Sequence, residues 1–468
     1  MLNTRNIIWL LGLPAAICVL VQIGLGANFS VLLLAACCIA TGLYGFWLLG
    51  SGNTAAWFCL FYMAGSVLFA FYGKTFLLQT VDSNLYAPAL SYSVQAICGL
   101  AMLGALIVSS WVNVGRTMQP ITDLATLKFL AWASFIIGLS IEIFHTYGDR
   151  GAAGPEYGGL ALFGSLMYLG IVARTAYVIL RSGGKKHIDS VVLLMLLIAT
   201  AFGVFMNGRG NTAMPCLYFF ATLLFFKGKL PWRYVTALVC GAALFAAIAP
   251  MLLVFRYAGL RNMTLQQEAD AFTRLLPSIL DGRAYAFETG KIENLRAYYH
   301  YFGGSKSQVV LGRWATIQQS DPAIAMTENS APLGRDLFIS ELRSQLPTFI
   351  DPDKPALPVA FTILEQQGLT NSSHGHYPTL PPAGEVYALF GMTGVLIIPF
   401  AVFLIYALIL KKIGWALYGN VFSIFILMSS TMNAFQNGLQ AFIGSMFRTI
   451  PALFLTVFCL QWDYAGSD

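Results

Sequence analysis

Four arginines stand where apolar chain meets polar chain. Arg209 lies in Asn207-Gly208-Arg209-Gly210-Asn211-Thr212, Arg256 follows a long apolar run with Arg261 close behind, and Arg448 lies inside the last apolar run. Guanidinium groups suit phosphate and diphosphate, because a planar donor fork binds two oxygens at once and keeps its charge. Arg448 is the most telling: it falls about eight residues into its run, roughly 12 Å deep at about 1.5 Å per residue. An arginine at the centre of a membrane helix costs about 2.5 to 3.5 kcal/mol, so one kept at depth usually faces a polar interior or a wet cavity. Arg209 and Arg256 have a plainer reading as interfacial anchors whose side chains reach towards head groups.

Glu385 follows Pro381-Pro382-Ala383-Gly384 at the start of an apolar run. A carboxylate there is either a cap favoured by the helix dipole or a base that takes a proton from a hydroxyl group. Tyr387 lies two residues further on, and Gly391 and Gly394 leave room for close helix packing. His374 and His376 in Ser372-Ser373-His374-Gly375-His376-Tyr377 are either solvated loop residues or, near neutral pH, candidate bases. Glu142 and His145 sit three apart on one helix face, where they line a sugar cavity or pair with each other. The His-x-His pair has no ligand-rich partner nearby, so no metal site is expected.

Neither a Gly-rich nucleotide loop nor a Ser/His/Asp arrangement at recognisable spacing is present. No cofactor is expected. The eight cysteines all fall in apolar runs, where a thiol is a small buried hydrophobe. The net charge of +6 is modest and no basic block carries interleaved aromatics, so nucleic acid is not an expected partner.

The elements that must position these residues are membrane helices. With 57% hydrophobic and 10% charged residues, the composition lies outside the soluble range. Apolar runs predict about twelve spans, near 6–25, 28–49, 54–72, 91–113, 127–147, 159–181, 189–207, 211–228, 233–256, 385–410, 413–431 and 440–462. The first is too long, and too plainly followed by others, to be a cleaved signal peptide. With the N-terminus in the cytoplasm, the short loops on that side hold Arg5, Arg116, Lys128, Arg181, Lys185, Lys186, Lys227, Lys229, Arg233, Lys411 and Lys412. The opposite loops hold Lys74, Arg150 and Arg209. That bias predicts both termini in the cytoplasm and the long polar stretch, residues 257–384, outside. Domain organisation follows: spans one to nine over residues 1–256, the outer loop over 257–384, and spans ten to twelve over 385–468. Within the loop, residues 264–280 and 335–346 predict amphipathic helices, the second with a stripe of Phe338, Leu342 and Leu346. Its Arg335 and Arg343, together with Tyr387 and Glu142, are candidate glycan contacts.

The layout resembles the Wzy-type oligosaccharide repeat-unit polymerases. The resemblance rests on Asn207-Gly208-Arg209-Gly210-Asn211, on Phe255-Arg256-Tyr257 opening the loop, and on Gln345-Leu346-Pro347-Thr348-Phe349-Ile350 followed by Asp353-Lys354-Pro355. Further along are Pro378-Thr379 leading to Gly384-Glu385-Val386-Tyr387, then Phe390-Gly391-Met392-Thr393-Gly394, and Asn437-Gly438-Leu439 running to Phe447-Arg448. It covers most of residues 190–462. Members often place a charged residue just before the last outer turn, where this chain has Asn433-Ala434-Phe435-Gln436, so Gln436 is given no role.

The resemblance implies an all-α polytopic membrane protein with a large helical periplasmic loop, GT-C-like, in the bacterial inner membrane. It implies that glycan repeat units carried on undecaprenyl diphosphate are joined in the periplasm, without metal. Arg209, Arg256 and Arg448 would hold the diphosphate, while Glu385 or His376 takes the acceptor proton. A chain-length regulator protein is a candidate partner. An O-antigen ligase, which transfers the same donor to a lipid A core, is the alternative in the same class. A lipid-linked sugar transporter or flippase is the alternative outside it.

Overall fold

The computed structural model describes residues 3–115, 120–147, 161–205, 209–227, 231–241, 301–302, 315–346, 350–353, 359–369, 380–414, 416–436, 438–450 and 453, with single positions between 266 and 274. Among the described residues the fold is all-helical, and an isolated bridge between Asn53 and Ala416 is the only β pairing. Among the described residues, six helices are long and apolar enough to cross a membrane. Five lie in the first third of the chain: α1 (Thr4–Gly24), α2 (Phe29–Leu49), α3 (Thr54–Phe76), α4 (Pro88–Trp111) and α5 (Leu124–Tyr147).

Several of these runs begin just after an Asn or Asp, which accepts the otherwise orphaned N–H groups of the first turn. Asn3 accepts from Arg5 N at 2.9 Å, Asn28 from Ser30 N at 2.9 Å, Asn53 from Ala56 N at 3.1 Å and Asp123 from Thr126 N at 2.7 Å. The run predicted at 159–181 is interrupted at Ser165, giving a single turn Ala161–Gly164 and then α6 (Leu166–Arg181). Next come α7 (Ser190–Phe205) and α8 (Arg209–Lys227). The pair packs together as a hairpin, α5 packs on α6, and α4 packs between α2 and the sixth long helix.

Of the predicted outer loop, three helices are described: α9 (Ile317–Glu328), α10 (Arg335–Ser344) and α11 (Val359–Gln366), the last beginning directly after Pro358. The helix expected over 264–280 lies almost wholly outside the described residues. α9 is buried. Its Asp321 accepts hydrogen bonds from Tyr86 N at 2.6 Å, Ala87 N at 3.0 Å and Ser91 Oγ at 2.7 Å, capping α4 from another part of the chain. Lys74, expected in a loop, instead lies fully buried in the last turn of α3. Its Nζ donates to Ser83 O and Oγ at 2.9 and 2.8 Å and sits 4.2 Å from the centre of the Tyr301 ring.

The sixth long helix, α12 (Pro382–Ile413), begins three residues earlier than expected and is broken. At Gly391 the backbone turns to φ 67°, ψ −160°, a conformation essentially confined to glycine. The break takes away the amides that would normally bond the carbonyls of Ala388 and Leu389. The backbone N–H groups of Leu333 and Gly334 replace them, at 3.0 and 2.9 Å. Gly391 thus makes a helix end inside an apolar run, and Gly394 leaves room for the Phe390 side chain across the break. The glycine that brings α12 close to a neighbour is Gly384, where an added Cβ would lie 2.7 Å from Ser320 Cβ in α9. Gly391→Ala should cost about 1–3 kcal/mol, read as a lower midpoint of thermal unfolding in detergent at unchanged expression.

The chain ends its described part with α13 (Val421–Gln436) and α14 (Gly438–Gly444), which runs into a π-helical turn, Ser445–Thr449. Phe58, Phe403, Tyr406 and Phe442 pack ring against ring between α3, α12 and α14, with centroids 4.9 to 5.9 Å apart.

Candidate functional site

Glu385 occupies the first turn of α12 and is fully buried. It does not cap its own helix. Its Oε2 reaches across Gly438 and accepts the Leu439 backbone N–H at 2.8 Å, so the carboxylate holds the N-terminus of α14. Gly438, at φ 80°, is what makes this reach feasible: an added Cβ would lie 2.7 Å from that oxygen and 2.6 Å from Leu380 O. Its other oxygen, Oε1, has no hydrogen-bond partner among the described residues.

The structure brings a second carboxyl group to the same place. Glu341, on the inward face of α10, is fully buried beside Glu385, and neither of its oxygens has a hydrogen-bond partner among the described residues. Burial, and then the neighbouring Glu385 carboxyl, push the Glu341 carboxyl well above the usual carboxylate range. Gln345, just past the end of α10, presents Oε1 to Gly444 at the far end of α14.

Of the predicted stripe on α10, Phe338 is half-buried against Phe390. Leu342 and Leu346 are exposed, while Glu341 and Ser344 are buried. Glu341 was missed because an apolar stripe in a polar loop is ordinarily read as the inward face. A signal was present in the spacing, since Leu337, Glu341 and Ser344 share one face.

Arg448 lies in the π-helical turn that continues α14, the helix whose first amides Glu385 holds. Single-turn π segments recur at functional sites. That turn also meets Ala161–Gly164, and Gly164 is in direct contact with the Glu142 carboxyl. Ala161–Gly164 thus lies against both the helix that carries Glu142 and the turn that carries Arg448. Arg209 opens α8, which packs on α13 and α6, and Tyr218 of α8 stacks on Tyr168 with centroids 5.0 Å apart. The side chains of Arg209 and Arg448, and all of Arg256 and His376, lie outside the described residues.

Tyr387 is buried two residues after Glu385. Arg335 is exposed beside Asp336 at 3.9 Å, and the Arg343 fork is taken by Asp351 at 2.7 and 2.9 Å. Among the described residues no group of three or more His, Cys, Asp or Glu side chains is placed to hold a metal ion.

A consequence for stability follows from Glu341. Its carboxyl is protonated in the folded chain over a pH range in which the unfolded chain has lost that proton. Its contribution is therefore greatest below the ordinary glutamate value, about 4.3, and is lost as pH rises through the raised value. Thermal midpoints should fall as pH is taken from acid through neutral, and Glu341→Gln, which carries no charge at any pH, should flatten that slope. The chain matches no known protein family, no curated protein and no solved structure.

Proposed function

We propose that the chain is a membrane glycosyltransferase that joins polyprenyl-diphosphate-linked oligosaccharide repeat units on the periplasmic face of a bacterial inner membrane. The observation that carries this reading is the buried Glu385, tied by Oε2 to the helix that continues into the Arg448 turn, with Oε1 unbonded among the described residues. A hydroxyl-activating carboxylate and a diphosphate-holding arginine on two helices tied to each other are what glycosyl transfer from a lipid diphosphate requires. In the proposed step the acceptor hydroxyl oxygen bonds to the anomeric carbon and the bond from that carbon to the diphosphate breaks. Glu385 takes the hydroxyl proton, and Arg448 with Arg209 and Arg256 neutralises the departing charge.

The twelve-span topology belongs to the same proposal. Beside the six long helices, the shorter apolar helices Ser190–Val204, Thr212–Lys227 and Val421–Thr431 are candidates for further spans. Basic residues gather at one end of the bundle, where Lys411 Nζ donates to Ser109 O and Val112 O at 3.0 and 2.6 Å and Arg174 pairs with Asp189. By the positive-inside rule that end is cytoplasmic, and α9 to α11 with Glu385 are periplasmic.

The break at Gly391 favours a second reading, a lipid-linked sugar transporter, since discontinuous helices often line transport sites. Purified protein in proteoliposomes, given undecaprenyl-diphosphate-linked repeat units, separates the readings. A ladder of repeats on the carrier supports the polymerase. Transfer only to added lipid A core replaces it with the ligase, and passage of label across the bilayer with no new glycosidic bond replaces it with the transporter.

A further inference from the structure

We propose that α10 is an in-plane membrane helix, with Ile339, Leu342 and Leu346 set into the boundary between head groups and acyl chains of the leaflet nearest Gly391. This goes beyond the reaction proposed above and stands without it, resting on the membrane-spanning character of the chain and on where α12 breaks.

The level of the bilayer can be read from α12. Beyond the break, residues 392–413 run roughly 33 Å at about 1.5 Å per residue, against about 30 Å for a hydrocarbon core. That part alone spans the membrane. It also has an outward face of the kind lipid requires, with Leu396 53% and Ile397 58% exposed. Residues 382–389 are different, being buried on every side within protein. The membrane boundary therefore falls at Gly391.

α10 lies at that level. The Leu333 and Gly334 amides just before it bond to Ala388 and Leu389, and the Phe338 ring meets Phe390 edge-on, with centroids 5.5 Å apart. Three faces of the helix then meet three environments. Glu341 and Ser344 point into the protein, while Asp336 and Arg343, the latter on Asp351, form a charged edge. The remaining edge, next to Phe338, carries Ile339 (48% exposed) and Leu342 (41%), with Arg335 at its N-terminal end and Leu346 (39%) just past its C-terminal end. Aliphatic side chains with this much open surface, at the depth of a bilayer boundary and flanked by charge, are the pattern of a helix lying in the interface. The inward face buries Glu341 and Ser344 beside the half-buried Leu337 and Phe338, so the open aliphatic edge is not the side on which α10 meets the protein core.

The test uses the full-length protein in vesicles of phosphatidylethanolamine and phosphatidylglycerol doped with a phospholipid that carries a photoreactive diazirine on its acyl chain. After irradiation, lipid adducts are mapped by mass spectrometry. Adducts on Ile339, Leu342 or Leu346, at yields comparable with those on Leu396 and Ile397 and absent from 382–389, are expected. In the variant I339S/L342S/L346S, adducts on α10 should be lost while those on Leu396 and Ile397 persist. Labelling of Leu396 and Ile397 in wild type without any on α10 would overturn the proposal. Protein–protein adducts on the stripe would overturn it as well, by assigning that edge to a second copy or another protein.

Discussion

Replacing Glu385 with glutamine should lower the rate of glycan polymerisation by about 10²- to 10⁴-fold, the usual worth of a positioned general base, while leaving the protein folded and at normal level. The reasoning turns on the two oxygens of one carboxylate. Glutamine keeps an oxygen in the position of Oε2, so the Leu439 N–H at 2.8 Å still has an acceptor and α14 is still held. It cannot take a proton at the position of Oε1, the oxygen without a partner among the described residues. A residue that served only as a cap would tolerate this exchange, because neutral acceptors also cap helices. Glu385→Ala is the contrasting case. It strands a buried amide, which costs about 1–3 kcal/mol, so stability should drop along with activity. Rates measured on lipid-linked repeat units in proteoliposomes, beside thermal midpoints for both variants, check the claim. Full activity in Glu385→Gln would leave the carboxylate as a structural clamp and remove it from the chemistry.

Much of this arrangement could be read from the sequence, and the misreadings have physical causes. Long apolar runs were legible because crossing a bilayer takes about 20 residues as a helix, and few other structures call for such a run. The start of α12 was legible within three residues, because Pro381-Pro382 marks a helix beginning. Its break was not, since Gly391 and Gly394 look the same as sequence yet do different things. One adopts a backbone conformation closed to other residues, and the other makes room for Phe390. The choice between them is made by Leu333 and Gly334, about sixty residues away in the chain and invisible to any local pattern.

Glu341 shows the same limit more sharply. Reading an amphipathic helix assumes that water lies outside, so the apolar stripe is turned inward. For a helix at the edge of a bilayer the outside is partly hydrocarbon, and the rule inverts. Phe338 packs on Phe390 while Leu342 and Leu346 are exposed, and the buried carboxyl lies on another face of the helix. The candidate site thus gained an acidic neighbour for Glu385 that no spacing argument about apolar residues would have found. Glu385 itself was legible as an acid at a helix start, but its bond to the amide of a different helix was not.

Arg448→Ala should reduce polymer formation by about 10²- to 10³-fold, the scale on which losing one preorganised donor to a developing negative charge is felt, with the protein still made and inserted. The leaving diphosphate gains charge as the anomeric bond breaks, and a fixed guanidinium in a site of low dielectric offsets that charge without reorganising at the moment of reaction. Placement is what lends Arg448 this role. Its turn is a π-helical continuation of α14, whose other end is fixed by Glu385, so base and cation would keep a constant separation on two helices tied to each other. Arg209→Ala should have a similar effect from the start of α8, and the double variant should fall short of the product of the two single losses if both hold one diphosphate. Lysine at either position should restore part of the rate and no more, since it keeps the charge but loses the paired donors. An interfacial anchor makes the opposite forecast, because lysine reaches head groups as well as arginine does. Chain-length distributions and initial rates for the alanine and lysine series therefore decide between an anchor and a diphosphate site. Wild-type polymer in both alanine variants would dismiss the diphosphate site altogether.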